Sequence, residues 1–229
     1  MPYLLFQRAG DQPRPLLIAL HGSGRRGADA GSLRQFIGNS FTDETEGEKD
    51  SFAKRVFGSS CHVLVPGCGL DSSWGDPSGR WQQTTMSLVD AMIREGSVDE
   101  NQVYLVGYSM GGYGVWSWVA ATPNRFAAAL SISGAGLSLP AVGKKTLGDI
   151  AKPRDARLWP PMTAIHGDKD DVVPVEESIQ AVQTLQRRGG QAKFIVWKGR
   201  GHYLWEDVVE SGPDQWRQWL SLAAEIDEG

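Results

Sequence analysis

The sequence predicts an α/β fold, with a mostly parallel central sheet and helices packed on both faces. Short, continuous apolar runs at residues 16–20, 62–66 and 103–106 are typical of strands that are buried on both sides. Between such runs lie longer segments in which apolar residues recur every three or four positions, as in amphipathic helices. Strands that alternate with helices along a chain form parallel sheets, because each helix carries the chain back to the start of the next strand.

The composition fits one α/β domain that spans residues 1–229. Apolar residues make up 41% of the chain and charged residues 22%, as in an ordinary globular protein. A net charge of −4, with no basic cluster larger than two residues, argues against a nucleic-acid partner. The first twenty residues carry charged side chains, and their longest apolar run covers only residues 16–20. This segment fits neither a signal peptide nor a membrane span.

The two cysteines, Cys61 and Cys68, flank the predicted strand at residues 63–65. An extended segment holds its ends too far apart for a disulfide. We therefore expect reduced thiols and a cytoplasmic protein.

The first half of the chain alternates strands with helices and glycine-rich turns. Residues 3–6 fit one edge strand, and the apolar run at 16–20 ends in a glycine-rich turn at 21–27. Helix and loop are expected over 28–60, where the acidic stretch 42–50 is most simply a solvated loop. The remaining elements predicted in this half are a strand at 62–66, a loop at 67–81, a helix with Met86, Val89 and Ile93 on one face, a strand at 103–106 and a helix at 115–121.

The second half continues the same alternation. A strand at 127–132 leads into a long surface connection at 133–160, which can fold over the site as a lid. A strand at 162–165 is followed by a helix with Val175, Ile179, Val182 and Leu185 on one face. The last predicted elements are a strand at 193–197, a turn at 199–203 and a helix opened by Gly212 and Pro213, with Trp216, Leu220 and Ala223 facing inward.

Ser109 lies where an apolar strand meets a helix, between two glycines in the pattern Gly-x-Ser-x-Gly. Gly107 and Gly111 lack a Cβ, so strand and helix can approach each other while Ser109 takes a strained backbone conformation. The hydroxyl then stands clear of the chain at a helix N-terminus, where negative charge is stabilised. This strand–turn–helix arrangement is typical of a nucleophile elbow, and predicts Ser109 as a nucleophile.

A serine nucleophile needs a base to take its proton, and the base needs a carboxylate to orient it. In parallel sheets, functional groups gather at the carboxyl ends of the strands. Of the four histidines only His202 follows the aspartates at 168, 170 and 171, so it is the candidate base. His166 ends a strand and is expected to hydrogen-bond the turn that follows. From the residues alone, Asp168, Asp170 and Asp171 all remain candidates for the acid.

The order serine, aspartate, histidine is the one expected for α/β-hydrolases. The chain resembles that superfamily, and within it the predicted peptidase/esterase branch of the phospholipase/carboxylesterase group, from about residue 16 to 205. The resemblance rests on four motifs in order: His-Gly-x-Gly-x-Arg-Gly at 21–27, Ser-Met-Gly-Gly-Tyr-Gly-x-Trp at 109–116, His-Gly-x-x-Asp-x-x-Val-Pro at 166–174 and Gly-His at 201–202.

The resemblance implies an α/β-hydrolase fold and places Asp170 at the position of the catalytic acid. Asp168 then becomes the residue that forms the turn. Two departures from the family stand out. The segment before the first core strand is short, which leaves room for fewer early strands than the full fold has. The Glu-Arg pair usual after the oxyanion turn is replaced by Arg25 and Arg26, so that glutamate has no counterpart in this chain.

An oxyanion hole requires two backbone N–H groups that point at the developing negative charge. The residue after the nucleophile, Met110, is expected to supply one. The turn after the first core strand supplies the other, from Ser23 or alternatively Gly24.

Several of the nine tryptophans are predicted in loops near the strand ends. Trp74 and Trp205 are the candidates for lining a substrate pocket, and Trp81 and Trp159 are weaker ones. No His-x-x-x-His or Cys-x-x-Cys spacing is present, so we expect neither a metal nor another cofactor.

The reaction favoured by these residues is hydrolysis of small carboxylic esters by a serine carboxylesterase. Thioester deacylation, peptide cleavage or acyl transfer by the same residues is the alternative. A hydrolase-like fold used only for binding is a further alternative, from a different class of function. The sequence leaves the oligomeric state open.

Overall fold

A computed structural model describes residues 1–38, 56–57, 61–76, 78–134 and 158–221. Within these residues seven strands form one sheet, in the order β1-β3-β2-β4-β5-β6-β7. β1 runs antiparallel to β3, and all other neighbours are parallel. The strands are β1 (Tyr3–Phe6), β2 (Arg14–Leu20), β3 (His62–Pro66), β4 (Val98–Tyr108), β5 (Ala128–Ile132), β6 (Met162–Gly167) and β7 (Ala192–Trp197).

Helices cover both faces of this sheet, so the predicted α/β fold class is confirmed. Along β2, Leu16, Ile18 and Leu20 point into one hydrophobic core, while Leu17 and Ala19 point into the other. The helices are α1 (Ala30–Ile37), α2 (Arg80–Arg94), α3 (Met110–Ala121), α4 (Val175–Arg187), α5 (Trp205–Val209) and α6 (Pro213–Trp219). Residues of α2, α3 and α4 fill the first core, and residues of α1, α5 and α6 fill the second.

Some elements differ in extent from the sequence-based expectation. β4 is longer than the apolar run at 103–106, because its polar first half also pairs with β2 through Arg14 and Val98. Trp81 and Trp205, expected in loops, lie in the first turns of α2 and α5. The acidic stretch at 42–50 and most of the predicted connection at 133–160 lie outside the described residues.

The parallel strands bring the predicted functional segments to one edge of the sheet. His21 follows β2, Ser109 follows β4, Asp170 follows β6 by three residues, and His202 follows β7 by five. Since parallel strands share the direction of their carboxyl ends, all four segments emerge on the same side. β4, which carries Ser109, is the middle strand of the seven.

Candidate active site

Ser109 joins β4 to α3 in a conformation that side chains rarely adopt. Its φ is 54° and its ψ is −116°, and its N–H donates a 2.8 Å hydrogen bond to the carbonyl oxygen of Ile132. A positive φ of this kind is strained for a residue with a Cβ. Packing of β4 and α3 against their neighbours must therefore hold the turn in place.

The two flanking glycines explain how the turn can be so tight. A Cβ on Gly107 would lie 2.2 Å from the carbonyl oxygen of Gly111, across the turn. A Cβ on Gly111 would lie 2.0 Å from the carbonyl oxygen of Leu20, at the end of β2. Both contacts are with backbone atoms, so no side-chain movement could relieve them. The glycines of the motif are thus required by the close approach of three backbone segments.

A continuous hydrogen-bonded chain links Ser109, His202 and Asp170. His202 Nε2 lies 2.9 Å from Ser109 Oγ, and His202 Nδ1 lies 2.8 Å from Asp170 Oδ2. A carboxylate only accepts hydrogen bonds, so the ring proton belongs on Nδ1. Nε2 is then unprotonated and accepts the hydroxyl proton of Ser109. This arrangement can remove a proton from Ser109 as its oxygen attacks an electrophile.

Asp170 is held as an ionised carboxylate by backbone N–H groups of its own turn. Its Oδ1 accepts hydrogen bonds from the N–H groups of Val172, at 2.9 Å, and Val173, at 2.8 Å. Burial alone would raise the pKa of Asp170, but the Val173 N–H, the His202 ring and the Val172 N–H outweigh burial and lower it. The side chain has no exposed surface, so these contacts replace its hydration.

The other two aspartates of the cluster have different surroundings. Asp168 Oδ1 accepts a 2.6 Å hydrogen bond from the N–H of Gly199, which ties the turn after β6 to the turn after β7. Asp171 is solvent-exposed. The structure therefore brings only Asp170 of these three next to His202.

The predicted oxyanion donors are the first residues of two helical segments. Met110 begins α3, and Ser23 begins a 3₁₀ turn over Ser23–Arg25. The N–H group of a first helical residue has no partner within its helix, so both groups remain available to a bound oxygen. Ser23 lines the cavity above Ser109.

Three hydrogen bonds around His21 hold the turn that carries Ser23. His21 Nδ1 donates to the carbonyl oxygen of Gly22 at 2.8 Å, and Nε2 accepts from the N–H of Cys68 at 3.1 Å. The indole N–H of Trp74 donates to the carbonyl oxygen of His21 at 2.8 Å. Burial lowers the pKa of His21 to about 4, with the Gly22 bond opposing the shift and Arg25 adding to it. A neutral ring has one donor and one acceptor nitrogen, as these two ring contacts require.

A cavity of about 560 Å³ opens above Ser109 and His202. Trp205 forms part of its wall and stacks on Phe36, with ring centroids 4.2 Å apart. Val172 and Tyr203 form an apolar rim, with 59% and 78% of their surfaces exposed. The residues lining the cavity are Gly22, Ser23, Gly24, Arg25, Phe36, Tyr108, Ser109, Val172, His202, Tyr203, Trp205 and Glu206.

The two tryptophans predicted to line a pocket occupy different places. Trp205 faces the cavity, whereas Trp74 is only 2% exposed and lies beneath the oxyanion turn, outside the cavity lining. Trp81 donates its indole N–H to Ser72, and Trp159 packs beside Trp116 in the core. Substrate contact at Trp205 stays a prediction, and the position of Trp74 gives it a supporting role instead.

Sequence reasoning missed several residues around the cavity. Phe36 comes from α1, and its aromatic side chain in an amphipathic helix gives no signal of a cavity wall. Tyr108 immediately precedes Ser109, and its ring centroid lies 5.4 Å from that of His202. Tyr203 follows His202 directly, so its place in the motif Gly-His-Tyr could have pointed to it.

The described residues hold no cluster of metal-binding side chains. No group of three or more histidine, cysteine, aspartate or glutamate side chains among them is placed to bind a metal ion. In the same part of the chain, no helix has the length and apolar character needed to cross a membrane.

The sheet order and the position of Ser109, His202 and Asp170 at its carboxyl edge define an α/β-hydrolase. The chain belongs to the phospholipase/carboxylesterase family, whose sequence profile matches residues 2–214. Its fold and family are therefore those of hydrolases, as the sequence motifs predict.

Individual relatives span a range of hydrolytic activities. The chain is 25% identical over 152 residues to the uncharacterized peptidase YuxL of Bacillus subtilis, covering 57% of this chain and 23% of that protein. It is 30% identical over 116 residues to acyl-protein thioesterase 1 of Gibberella zeae, covering 51% of this chain and 47% of the relative. The matches thus span a quarter to a half of the length of these curated relatives.

Solved structures include close matches to the fold. The crystal structure of a thermostable esterase aligns with a TM-score of 0.70 and 25% identity, covering 96% of this chain and 58% of that one. Esterase PE8 aligns with a TM-score of 0.63 and 20% identity, and nearly the whole of both chains is covered, at 96% and 99%.

Proposed function

We propose that this protein is a serine carboxylesterase that hydrolyses small carboxylic esters through an acyl-enzyme intermediate. The observation that carries the proposal is the chain of hydrogen bonds from Ser109 through His202 to Asp170, with lengths of 2.9 and 2.8 Å. Three residue types that seldom meet by chance in this geometry lie beside a cavity that a substrate can enter. Family membership supports a hydrolytic reaction on a small molecule.

In the first half of the reaction, Ser109 Oγ attacks the ester carbonyl carbon while His202 Nε2 takes the hydroxyl proton. Asp170 stabilises the imidazolium that forms and keeps its Nδ1–H in place. The carbonyl oxygen becomes an oxyanion, which the N–H groups of Met110 and Ser23 stabilise. When the tetrahedral intermediate collapses, His202 gives its proton to the leaving alcohol, and the acyl group remains on Ser109.

In the second half, water enters the place left by the alcohol. His202 removes a proton from this water as its oxygen attacks the acyl carbon, and the same oxyanion donors act again. Collapse of the second intermediate returns the proton to Ser109 Oγ and releases the carboxylic acid. Within the described part of the chain, Val172 and Tyr203 at the rim are both exposed to water.

The cavity walls favour a substrate with an apolar part. Phe36, Tyr108 and Trp205 present aromatic surface, and Val172 and Tyr203 add apolar surface at the rim. Such walls favour alkyl or aryl groups of an ester, because burial of apolar area is favourable. The lining also includes two charged residues, Arg25 and Glu206. The buried free thiols of Cys61 and Cys68 suit the cytoplasmic location expected from the sequence.

Replacement of Ser109 by alanine tests the proposal. Hydrolysis of p-nitrophenyl butyrate should fall by a factor of about 10⁴ or more, because the nucleophile is lost. A fluorophosphonate should label Ser109 of the wild-type protein, as located by peptide mass spectrometry, and should leave the variant unlabelled. Ser87→Ala, on the exposed face of α2, is the matched control and should keep full activity. Full activity of Ser109→Ala would refute the proposal, and unlabelled wild-type protein would favour a binding role.

Thioester hydrolysis by the same residues is the second candidate, because one relative is an acyl-protein thioesterase. A panel of matched acyl esters, acyl thioesters and acyl anilides with the same acyl chain separates the reaction classes. The carboxylesterase proposal expects the highest kcat/KM for the oxygen ester. A thioester or anilide that exceeds it after correction for intrinsic reactivity would favour the alternatives.

A further inference from the structure

His166 is a second histidine in contact with the carboxylate that orients His202. It occupies the end of β6, four residues before Asp170, and its side chain has no exposed surface. His166 Nε2 lies 3.0 Å from Asp170 Oδ2, the oxygen that also contacts His202 Nδ1 at 2.8 Å. The same Nε2 lies 3.0 Å from the carbonyl oxygen of Val173. Two imidazole rings thus meet one carboxylate oxygen.

The partners of His166 determine where its proton lies. Nε2 faces two oxygens that only accept hydrogen bonds, so Nε2 must carry a hydrogen. Burial lowers the pKa of His166, which favours the neutral ring. Nδ1 of the neutral ring is then an acceptor, which requires the Ser178 hydroxyl, 2.8 Å away, to direct its single hydrogen at Nδ1 rather than at the carbonyl oxygen of Gly134, 3.0 Å away. The ring is therefore a neutral donor towards Asp170 and the turn after it, as its predicted contact with that turn also requires.

We propose that His166 is a positioning residue, whose Nε2–H holds the Asp170 carboxylate and the Val173 turn so that His202 stays directed at Ser109. The inference rests on the proposed function, in which these three residues carry out the reaction. Asp170 has two N–H donors on Oδ1, from Val172 and Val173, and two ring nitrogens near Oδ2. Together these four contacts restrict rotation of the carboxylate. Without His166, its Oδ2 is held by His202 alone.

Loss of this contact has two expected effects on the reaction. First, the carboxylate gains freedom to rotate, and a displacement of the base by about 1 Å can cost roughly a hundredfold in rate. Second, the Asp170 carboxylate no longer accepts a hydrogen bond from His166, so its negative charge acts more fully on His202. This stabilises the imidazolium form of His202. The titratable groups that act on Asp170 or on which it acts are His166, His202 and Tyr108.

Two variants of His166 separate the hydrogen bond from mere packing. His166→Leu removes the donor, so we expect kcat to fall about ten- to hundredfold. The acid limb of the kcat/KM pH profile should move to higher pH. His166→Gln places an amide N–H where Nε2 was, and should restore most of kcat and return the acid limb towards its wild-type midpoint. His62→Leu is the matched control, since His62 is an equally buried histidine bonded to Arg8 and Ser97, and should leave the profile in place.

The tautomer of His166 can be measured in the wild-type protein, so this test does not require His166→Leu to fold. Two-bond ¹H–¹⁵N spectra should show a neutral Nε2–H tautomer for the ring whose signals vanish in His166→Gln. A neutral Nδ1–H tautomer, or a charged ring at pH 7, would overturn the inference. So would a folded His166→Leu protein with wild-type kcat and an unmoved acid limb. If Ser109→Ala retains full esterase activity, the proposed function fails instead, while the tautomer measurement still reports on the Asp170 contact.

Discussion

The indole N–H of Trp74 donates a 2.8 Å hydrogen bond to the carbonyl oxygen of His21, the residue that connects β2 to the oxyanion turn. Trp74 also packs edge-on against the His21 ring, with centroids 5.0 Å apart, and its own carbonyl accepts a hydrogen bond from Trp118 in α3. The buried indole of Trp74 thus supports the turn that carries Ser23, although Trp74 does not line the cavity. This contact restrains the turn, as the proposed role of the Ser23 N–H as an oxyanion donor requires.

Trp74→Phe should therefore lower activity without altering the cavity wall. The phenyl ring keeps most of the packing but leaves the His21 carbonyl without its donor, so kcat should fall about tenfold with little change in KM. Steady-state kinetics with p-nitrophenyl butyrate measures both constants. Trp216→Phe is the control, because it removes a buried indole bond to Val208 on the opposite face of the sheet. An equal fall of kcat in both variants would contradict the specific role of Trp74.

Ser23→Pro should remove one oxyanion donor with little change to the fold. Ser23 is the first residue of its 3₁₀ turn, a position that proline accepts, and Gly22 before it is extended at φ −72° and ψ 171°. Loss of this N–H should lower kcat about 10²- to 10³-fold while substrate binding changes little. Circular dichroism checks that the fold is kept. If the folded variant keeps its full kcat, the role of second oxyanion donor would pass from Ser23 to the N–H of Gly24, the alternative residue of the turn.

Asp170→Asn should disable the base, whereas Asp168→Asn should not. An asparagine at 170 cannot stabilise the imidazolium, so kcat should fall about 10³- to 10⁴-fold. An asparagine at 168 still offers an oxygen to the N–H of Gly199 and should keep near wild-type kcat. The two substitutions are chemically identical and lie two residues apart, which makes them a matched pair. The reverse outcome in steady-state kinetics would assign the acid to Asp168.

Gly111→Ala should prevent stable folding. The added methyl group would lie 2.0 Å from the carbonyl oxygen of Leu20, a backbone atom at the end of β2, so β2 and α3 would have to separate. We expect a loss of more than about 4 kcal/mol in the free energy of unfolding, or no folded protein. Gly31→Ala in α1 is the control, because its nearest contact is an ordinary 3.6 Å and alanine favours helix. Urea denaturation of both variants tests this, and equal stability would contradict the geometry of the elbow.

Lowering the pH should destabilise the folded state over the pH range between the folded and unfolded pKa values of His21. Its pKa is about 4 in the folded state and about 6.5 in the unfolded chain, so the unfolded state binds more protons between these values. The free energy of unfolding should fall by about 3 kcal/mol as the pH drops from 6.5 to 4. His62 and His166, whose pKa values burial also lowers, add to the same slope.

Urea denaturation at several pH values between 7 and 4 measures this slope. His21→Asn keeps a donor for the Gly22 carbonyl but has no titrating ring, so part of the acid sensitivity should disappear. Acid sensitivity identical to that of the wild-type protein would show that His21 does not contribute.

The elbow at Ser109 could be predicted from sequence because its determinants are local. Two glycines, a strand before the serine and a helix after it require only neighbouring residues, and the backbone contacts of Gly107 and Gly111 explain the motif. The residue that contacts His202 could not be chosen from the neighbouring sequence alone. Asp168, Asp170 and Asp171 lie within four residues, and family resemblance rather than physical reasoning placed Asp170 at the acid position.

The tryptophans mark the limit of such reasoning. A predicted place in a loop near a strand end made Trp74 and Trp205 equal candidates for lining a pocket. In the structure Trp74 lies under the turn that carries Ser23, whereas Trp205 faces the cavity. Which way each indole points depends on what packs around it. Trp205, at the start of α5, stacks on Phe36, which lies 169 positions earlier in the chain.

By itself, the sequence determined the alternation of strands and helices, the elbow and the order in which serine, aspartate and histidine follow one another. These features depend on local backbone preferences and on apolar patterning, which are written into consecutive residues. Only the tertiary structure decided that Ser109 and His202, 93 positions apart, lie within 2.9 Å, and that His166 shares the carboxylate of Asp170. Such contacts arise where loops from separate strands converge at one edge of the sheet, and their distances depend on how the whole domain packs.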